Sequence, residues 1–398
     1  MFSGKNVVIG ITGGIAAYKI PNLVSMLVKQ NANVRVILTD AAEKIVSPIP
    51  MESLSKNKCL TDTFDRSFTM ETEHIAVADA ADVFIVAPAT ANTIAKLAHG
   101  IADNMLTTVA LACRCKKLIA PAMNTAMYEN PVTRDNIETL KKYGWEVIDP
   151  VGGRLACGAV GLGKMVEPSV LFDYIERALS VKRDFSGKRI IVTAGPTREA
   201  IDPVRYITNH SSGKMGYAIA KRAALRGADV TLVSGPVSIE PPLGVEVVNI
   251  VSAEDMYNAV VSRFEGADIV IKAAAVADYR PAVTAEDKIK KSDGDMKIEL
   301  ERTKDIIAAL GSMKREGQFL CGFSMETRDM VENSKKKLQK KNLDMIAANN
   351  VKVKGAGFAG DTNILTVITA DSIRELPLLS KEEAADALLS MIAEKMGL

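Results

Sequence analysis

Asn6-Val7-Val8-Ile9-Gly10-Ile11-Thr12, introduced by Phe2-Ser3-Gly4-Lys5 and closed by Gly13-Gly14, is the stretch that decides the fold. A strand-length run of β-branched residues that stops at glycine, with an amphipathic stretch after it, is how a parallel α/β sheet begins. The same opening returns in the second half as Phe185-Ser186-Gly187-Lys188, the run Arg189-Ile190-Ile191-Val192-Thr193, and then Gly195-Pro196. Outward from these two points the alternation continues. Strand-like runs occupy residues 34–38, 83–87, 117–120 and 146–148 in the first half, and 230–233, 246–250, 269–273, 319–323 and 345–348 in the second. The expected fold is therefore α/β, with two doubly wound Rossmann-like domains. Residues 181–188, charged and glycine-containing after a predicted helix over 169–179, read as the linker between a domain of residues 1–180 and one of residues 189–398. Pro21 predicts a kink or a late start in the first helix, because proline inside a helix removes a ladder bond.

With 398 residues, 47% hydrophobic and 25% charged, the chain has ample material for two cores and is not a disordered composition. Fifty basic against 48 acidic residues leave a net charge of +2, so no global field draws in nucleic acid or an acidic membrane. Apolar runs such as 7–11 and 83–89 fall far short of the roughly 20 residues of a membrane helix. The N-terminus reaches a strand at once, without a secretory leader pattern, which points to the cytoplasm. Five cysteines (Cys59, Cys113, Cys115, Cys157 and Cys321) without C-x-x-C spacing support neither a disulfide framework nor a zinc site. Any anion must then be bound locally, in loops where strand ends meet helix N-termini.

In the first half these loops are Gly13-Gly14-Ile15-Ala16, where glycine lets backbone approach a phosphate or flat ring, and Pro88-Ala89-Thr90-Ala91-Asn92-Thr93. The first reads equally as turn geometry, and Thr90 equally as a helix N-cap. A third loop, Pro121-Ala122-Met123-Asn124-Thr125-Ala126-Met127, follows a strand, and the glycine-rich residues 152–164 read as a flap around Leu155-Ala156-Cys157-Gly158. Together, Thr72-Glu73-His74-Ile75, the P-x-M-N-x-x-M loop and Leu155-Ala156-Cys157-Gly158 resemble the homo-oligomeric flavin-containing cysteine decarboxylases, specifically phosphopantothenoylcysteine decarboxylases. Tyr128 stands where bacterial members usually carry tryptophan. The resemblance implies a flavodoxin-like flavoprotein domain that binds FMN through Gly13, Gly14, Ile15, Ala16, Thr39, Thr90, Asn92, Thr93 and Met123. It implies that flavin oxidises the substrate thiol to a thioaldehyde, which accepts the electrons when CO₂ leaves. Cys157 would protonate the resulting enethiol, His74 would assist oxidation and decarboxylation, and Asn124 would hydrogen-bond the carboxylate.

In the second half, Asn209-His210-Ser211-Ser212-Gly213-Lys214-Met215-Gly216 opens a helix with residues suited to phosphate, although the P-loop spacing is absent. Ala273-Ala274-Ala275-Val276-Ala277-Asp278-Tyr279-Arg280-Pro281 puts very small side chains at a strand end, where a base or ribose could lie on backbone. Lys337 and Lys341, spaced i, i+4, can reach one triphosphate from a single helix face, or can be a solvated face. With Lys288-Ile289-Lys290-Lys291, Gly322-Phe323 and Lys341-Asn342-Leu343-Asp344, these segments resemble phosphopantothenate–cysteine ligases. The fused order is that of the bifunctional decarboxylase/ligase family of coenzyme A biosynthesis. That resemblance implies a ribokinase/Rossmann-like ligase domain joining phosphopantothenate to L-cysteine through an acyl-cytidylate made with CTP and Mg²⁺, its metal ligands unassigned. It places CTP against Ala274, Ala275, Asp278, Lys288, Lys304, Asp305, Ile306, Ile307, Phe323, Lys337 and Lys341. Asn209 would hold the acyl-cytidylate, Arg205 the phosphate region of the pantothenate, and Lys288 would serve the second half-reaction. It further implies trimeric flavin domains and dimeric ligase domains.

Two other classes compete. An NAD(P)-dependent oxidoreductase predicts G-x-G-x-x-G, which neither half contains. A regulatory flavoprotein that binds without turnover has no use for Cys157 or Lys288, and both are present.

Overall fold

Val7, Ile9 and Ile11 alternate with Val8 along the first strand, and both sets are buried, so this strand must carry helices on both faces. In a computed structural model describing residues 2–64, 73–154, 158, 160–290, 296–326, 330–350 and 360–398, it does. Each fully buried Val or Ile contributes about 1.5–3 kcal/mol, which makes the strand a nucleus of its unit. The chain divides into two compact units, 1–180 and 181–398.

The first unit has a five-stranded, wholly parallel sheet: β1 (Asn6–Ile11), β2 (Asn33–Leu38), β3 (Val83–Ala89), β4 (Lys116–Pro121) and β5 (Trp145–Val147), in the order β2-β1-β3-β4-β5. This is the flavodoxin-like order, whose direction reverses between β1 and β3. Helices Ile20–Lys29 and Pro168–Leu179 cover the face of Val7 and Ile9, and helices Ala91–Ala98, Met105–Ala112 and Pro131–Lys142 cover the face of Val8. Pro21 sits in the first turn of the helix Ile20–Lys29, which a short 3₁₀ turn, Ile15–Lys19, precedes. The proline thus delays the helix to a position where its missing N–H costs nothing. The glycine-rich segment forms an antiparallel hairpin of β6 (Val151–Arg154) and β7 (Val160–Lys164).

The second unit's main sheet is built on β8 (Arg189–Ala194), which two short strands follow, β9 (Arg198–Ala200) and β10 (Tyr206–Thr208). Next along the chain come β11 (Asp229–Ser234), β12 (Glu246–Asn249) and β13 (Ile269–Lys272). The ribbon strands β14 (Tyr279–Pro281) and β15 (Leu300–Arg302) separate these from β16 (Phe319–Glu326) and β17 (Met345–Asn350). The order β12-β11-β8-β13-β16-β17 is parallel throughout and Rossmann-like, with its switch point between β8 and β13. Two antiparallel strands, Leu365–Ile368 and Ile373–Glu375, extend the sheet beyond the expected strands. Helices Lys214–Leu225 and Lys381–Met396 lie on one face, and Ala253–Phe264, Ile306–Met313 and Met330–Lys340 on the other. Within the predicted linker, Phe185 is fully buried in the second core and Asp184 pairs with the buried Arg226 at 2.6 Å, so this part of the segment is built into the second unit.

Candidate active sites

Parallel strands deliver their following loops to one edge, and in the first unit those loops are tied to one another. Thr12, just past β1 and 1% exposed, donates its hydroxyl to the Pro88 carbonyl at 2.7 Å and accepts the Thr90 N–H at 3.0 Å. It thereby spans the switch point between β1 and β3. Thr39 N–H donates to the Ile11 carbonyl, and Ala122 N–H to the Ala89 carbonyl, so the loops after β2 and β4 are fixed to the same edge. This brings Gly13, Gly14, Ile15, Ala16, Thr39, Thr90, Asn92, Thr93 and Met123 to one side of the sheet.

Gly13 is required there by contact, because a Cβ on it would fall 2.5 Å from the Ala41 Cβ. Gly14 donates its N–H to the Thr12 carbonyl at 2.8 Å. Thr39 and Thr90 are both helix N-caps, accepting from the N–H groups of Ala42 and Thr93, and the hydroxyls of Thr90 and buried Thr93 lie 3.2 Å apart. Ile15 and Asn92 are exposed.

The hairpin lies on the loop after β4. Gly163, with φ +137°, accepts the Met123 N–H on its carbonyl at 3.0 Å, and a Cβ on it would fall 2.2 Å from the Met123 carbonyl oxygen. A Cβ on Gly161 would fall 2.6 Å from Thr125 Oγ1. Those two glycines let the backbone of β7 rest on residues 123–125. Asn124 caps the short helix Thr125–Glu129, its Oδ1 accepting from the Ala126 N–H at 2.9 Å. Cys157 lies outside the described residues, as do Leu155 and Ala156; the strands that flank them end at Arg154 and Val160, which pair. His74 is half-buried in the first turn of the helix Glu73–Ala80, which turns directly into β3 and so starts toward the same edge. Tyr128 packs into the core on the Val8 face, and burial, with Asp149 nearby, pushes its phenol pKa up.

In the second unit a cluster of glycines closes the switch point. A Cβ on Gly216 would fall 2.5 Å from the Ala194 Cβ, and one on Gly235 would fall 1.8 Å from the Pro196 carbonyl oxygen. The A-A-V-A segment crosses this point with its N–H groups already engaged: Ala274 donates to Thr193 Oγ1 at 3.1 Å and Ala275 to the Gly195 carbonyl at 2.9 Å. Ala274 and Ala275 therefore offer a ligand flat surface rather than donors. Asn209 braces them, its Nδ2 donating to the carbonyls of Ala275 and Val276 at 3.1 and 3.2 Å.

Arg205 is bound to Asp202 through Nε at 3.0 Å and donates from Nη2 to the Ile289 carbonyl at 2.8 Å. Asp202 in turn accepts the Ile289 N–H at 3.1 Å. The peptide groups on either side of Ile289 are thus clamped between a carboxylate and a guanidinium, which fixes the neighbouring, exposed Lys288. The Arg205 hydrogen bond, despite burial, and three backbone N–H groups hold the Asp202 carboxyl well below the usual carboxylate range.

Asp305 caps the helix Ile306–Met313 and pairs with Lys341 at 2.8 Å. Burial works to raise its pKa, but Lys341 and Lys272 bring it below the ordinary value. Lys341 continues the turn of the helix Met330–Lys340, its N–H donating to the Lys337 carbonyl. Lys304 pairs instead with Glu254 at 2.6 Å. Ile306 and Ile307 are buried in the core on this face, while Phe323 packs toward the opposite face. The structure thus gathers Asp305, Lys337 and Lys341, and leaves Phe323 across the strand from them. Thr12 and Asp202 were missed from sequence; each acts through partners distant in the chain, and only the Asp202-x-x-Arg205 spacing offered a local signal.

Among the described residues no group of three or more His, Cys, Asp or Glu could hold a metal, and no helix is long and apolar enough to cross a membrane. Residues 1–180 match the family model described as flavoprotein, and residues 185–396 the DNA/pantothenate metabolism flavoprotein C-terminal domain. The coenzyme A biosynthesis bifunctional protein CoaBC of Bacillus subtilis (strain 168) is 49% identical, over 99% of this chain and 98% of its own length. Its namesake from Escherichia coli (strain K12) is 41% identical, over 99% and 98%. A crystal structure of a C-terminal domain of CoaBC, 47% identical, covers 54% of this chain and 99% of its own, with a TM-score of 0.47. Identity at this level along both units means that the chain belongs to the family of bifunctional coenzyme A biosynthesis proteins, a flavoprotein carrying a decarboxylase and a ligase on one polypeptide.

Proposed function

We propose that residues 189–398 join phosphopantothenate to L-cysteine with CTP, and that residues 1–180 decarboxylate the resulting phosphopantothenoylcysteine to phosphopantetheine with FMN, both in the cytoplasm. The observation that carries the reading of the first half is the docking of β7 on residues 123–125 through Gly161 and Gly163. Val160, which follows the segment containing Cys157, adjoins Gly161 and so the loop of Asn124, and Arg154, which precedes that segment, pairs with Val160.

The edge carrying Gly13, Gly14, Ile15, Ala16, Thr39, Thr90, Asn92, Thr93 and Met123 suits FMN, with a backbone turn that admits no side chain at Gly13 and capped helix starts at Thr39 and Thr90. Bound there, the flavin would supply reversible two-electron oxidation of the substrate thiol, so that the carbon losing CO₂ has an electron sink. Asn124, on the loop after β4, hydrogen-bonds the substrate carboxylate in this reading. His74 assists thiol oxidation and decarboxylation, and Cys157 gives a proton to carbon after CO₂ has left.

In the second half a carboxylate oxygen of phosphopantothenate attacks the α-phosphorus of CTP and pyrophosphate leaves. The cysteine amine then displaces CMP from the mixed anhydride and forms the amide. Asp278, Lys288, Lys337, Lys341 and the helix start at Lys304, Asp305, Ile306 and Ile307 contact the nucleotide from one face, Phe323 would have to meet it at the sheet edge from the other, Asn209 holds the acyl-cytidylate, and Arg205 fixes the Lys288 loop beside the pantothenate phosphate. Mg²⁺ suits this pocket as a companion of the phosphates, with the carboxylates of Asp278 and Asp305 nearby. We assign the flavin units to a trimeric and the ligase units to a dimeric assembly.

The test is Cys157→Ser in the full chain. An oxidised, decarboxylated form of the substrate should accumulate, detectable by mass spectrometry, while ligation continues; normal release of phosphopantetheine would remove Cys157 from the chemistry.

A further inference from the structure

Cys113 and Cys115 stand two residues apart in the short connection from the helix Met105–Ala112 to β4. Cys113 caps that helix in extended backbone (φ −62°, ψ 132°), its N–H donating to the Val109 carbonyl at 2.9 Å, and it is buried in the apolar core on the Val8 face. Cys115 packs against the same core but is only half-buried, between exposed Arg114 and exposed Lys116. The two thiols meet, the Cys113 S–H donating to the Cys115 sulfur. Cα atoms two residues apart on one chain lie about 5–7 Å from each other, which overlaps the range a disulfide spans. β4 carries the chain six residues, about 20 Å, from this pair to the loop of Met123 and Asn124, so the pair takes no part in the flavin edge.

The surroundings make the two thiols unequal. Lys117 reaches back to the pair, its Nζ donating to the Cys113 carbonyl at 3.2 Å and lying 5.6 Å from the Trp145 ring centroid. The hydrogen bond from Cys113, the backbone N–H of Cys115 itself and the Lys117 ammonium hold the Cys115 thiol below its ordinary range, against burial and the Asp82 carboxylate. Asp82 is itself engaged by Lys5 Nζ and the Asn6 N–H, both at 2.8 Å. The same hydrogen bond, burial and the charge on Cys115 push the Cys113 thiol up; Asp79 adds to this and Lys117 opposes it. Among the other described cysteines, burial pushes Cys59 up to about 12 and Cys321 well above the ordinary thiol range. A half-buried thiolate near a cation, with a buried thiol in contact behind it, is the arrangement that attacks a disulfide and then resolves the adduct.

We propose that Cys113 and Cys115 form a redox modification site for small disulfides, with Cys115 as the attacking and Cys113 as the resolving thiol. The Cys115 thiolate attacks one sulfur of a small disulfide R–S–S–R, forming Cys115–S–S–R and releasing R–S⁻. Cys113 gives its proton to that thiolate and attacks the Cys115 sulfur, which breaks the bond to the second R–S⁻. Two protein thiols are thereby oxidised to one disulfide, and the small disulfide is reduced to two thiol equivalents. A dithiol reductant reverses the sequence. Closing the pair also keeps Cys115 from the irreversible sulfinic and sulfonic acids.

The experiment treats the full chain with oxidised glutathione and reads intact and peptide masses. Wild type should lose two hydrogens in the peptide carrying residues 113–115 and regain them with dithiothreitol. Cys113→Ala lacks the resolving thiol and should stop at one glutathione adduct on Cys115, whereas Cys115→Ser should leave Cys113 unmodified. No Cys113–Cys115 bond in wild type, or a glutathione adduct that accumulates there unresolved, overturns the proposal. So does a Cys115→Ser chain in which Cys113 takes up glutathione as fast as the wild-type pair reacts. A second measurement on wild type needs no variant: with limiting alkylating agent at neutral pH, Cys115 should be labelled at least about tenfold faster than Cys59, Cys113 or Cys321. Equal labelling of these four refutes the assignment of Cys115 as the attacking thiol.

Discussion

Replacing Gly163 by alanine should cripple decarboxylation and leave ligation intact. Gly163 sits at φ +137°, where an L side chain is strained by about 1–3 kcal/mol, and its new Cβ would lie 2.2 Å from the Met123 carbonyl oxygen. Backbone against backbone cannot yield, so β7 must lift, which also breaks the Met123 N–H bond to the Gly163 carbonyl, worth about 1 kcal/mol. Together these disfavour the docked hairpin by about 2–4 kcal/mol, or a factor of roughly 30 to 1,000. The assay is CO₂ release from phosphopantothenoylcysteine, with pyrophosphate release by the same preparation as the control for folding and concentration. Gly153→Ala separates strain from collision, because φ there is +150° but a Cβ would meet nothing within 4 Å. It should lose less. A Gly163→Ala enzyme that releases CO₂ at the wild-type rate would refute the claim that the docked hairpin is the active arrangement.

Gly235→Ala is the matching perturbation of the other unit: a Cβ 1.8 Å from the Pro196 carbonyl oxygen must push apart the loops at the switch point, so ligation should be lost while CO₂ release from supplied phosphopantothenoylcysteine persists. Asp202→Asn should slow ligation by loosening the clamp on Ile289, again without touching decarboxylation. Its stability cost carries a pH signature. A carboxyl whose folded pKa is depressed contributes stability that is fully present above its unfolded pKa of about 3.9 and lost as pH falls through the folded value. Denaturant titrations should therefore show a constant gap between wild type and variant above about pH 5 that narrows below about pH 4.

What could be read in advance follows from range along the chain. The alternation of Val7, Val8, Ile9 and Ile11 is local, so the core strands and the two Rossmann-like sheets were legible from residue order. Pro21 left a kink and a late start open, and the structure took the late start because proline is harmless in a first turn. Beyond reach were the two antiparallel strands at Leu365–Ile368 and Ile373–Glu375, whose short runs carry little periodicity of their own. The Thr12 bridge spans 76 residues to Pro88 and leaves no spacing to detect, and the Asp202 clamp spans 87 to Ile289, with the Asp202-x-x-Arg205 spacing as its one local sign. Thr90 had two readings, cap and phosphate contact, and it does cap the following helix.

The central claim is that one polypeptide makes phosphopantothenoylcysteine and then decarboxylates it. It is tested most directly by giving the purified chain, with its flavin spectrum recorded, phosphopantothenate, L-cysteine, Mg²⁺ and either CTP or ATP, and measuring all products by mass spectrometry and CO₂ trapping. The account predicts phosphopantetheine with equimolar CO₂, pyrophosphate and CMP in the CTP reaction. A colourless protein that does not take up FMN, or one that forms phosphopantothenoylcysteine without ever losing CO₂, would contradict it.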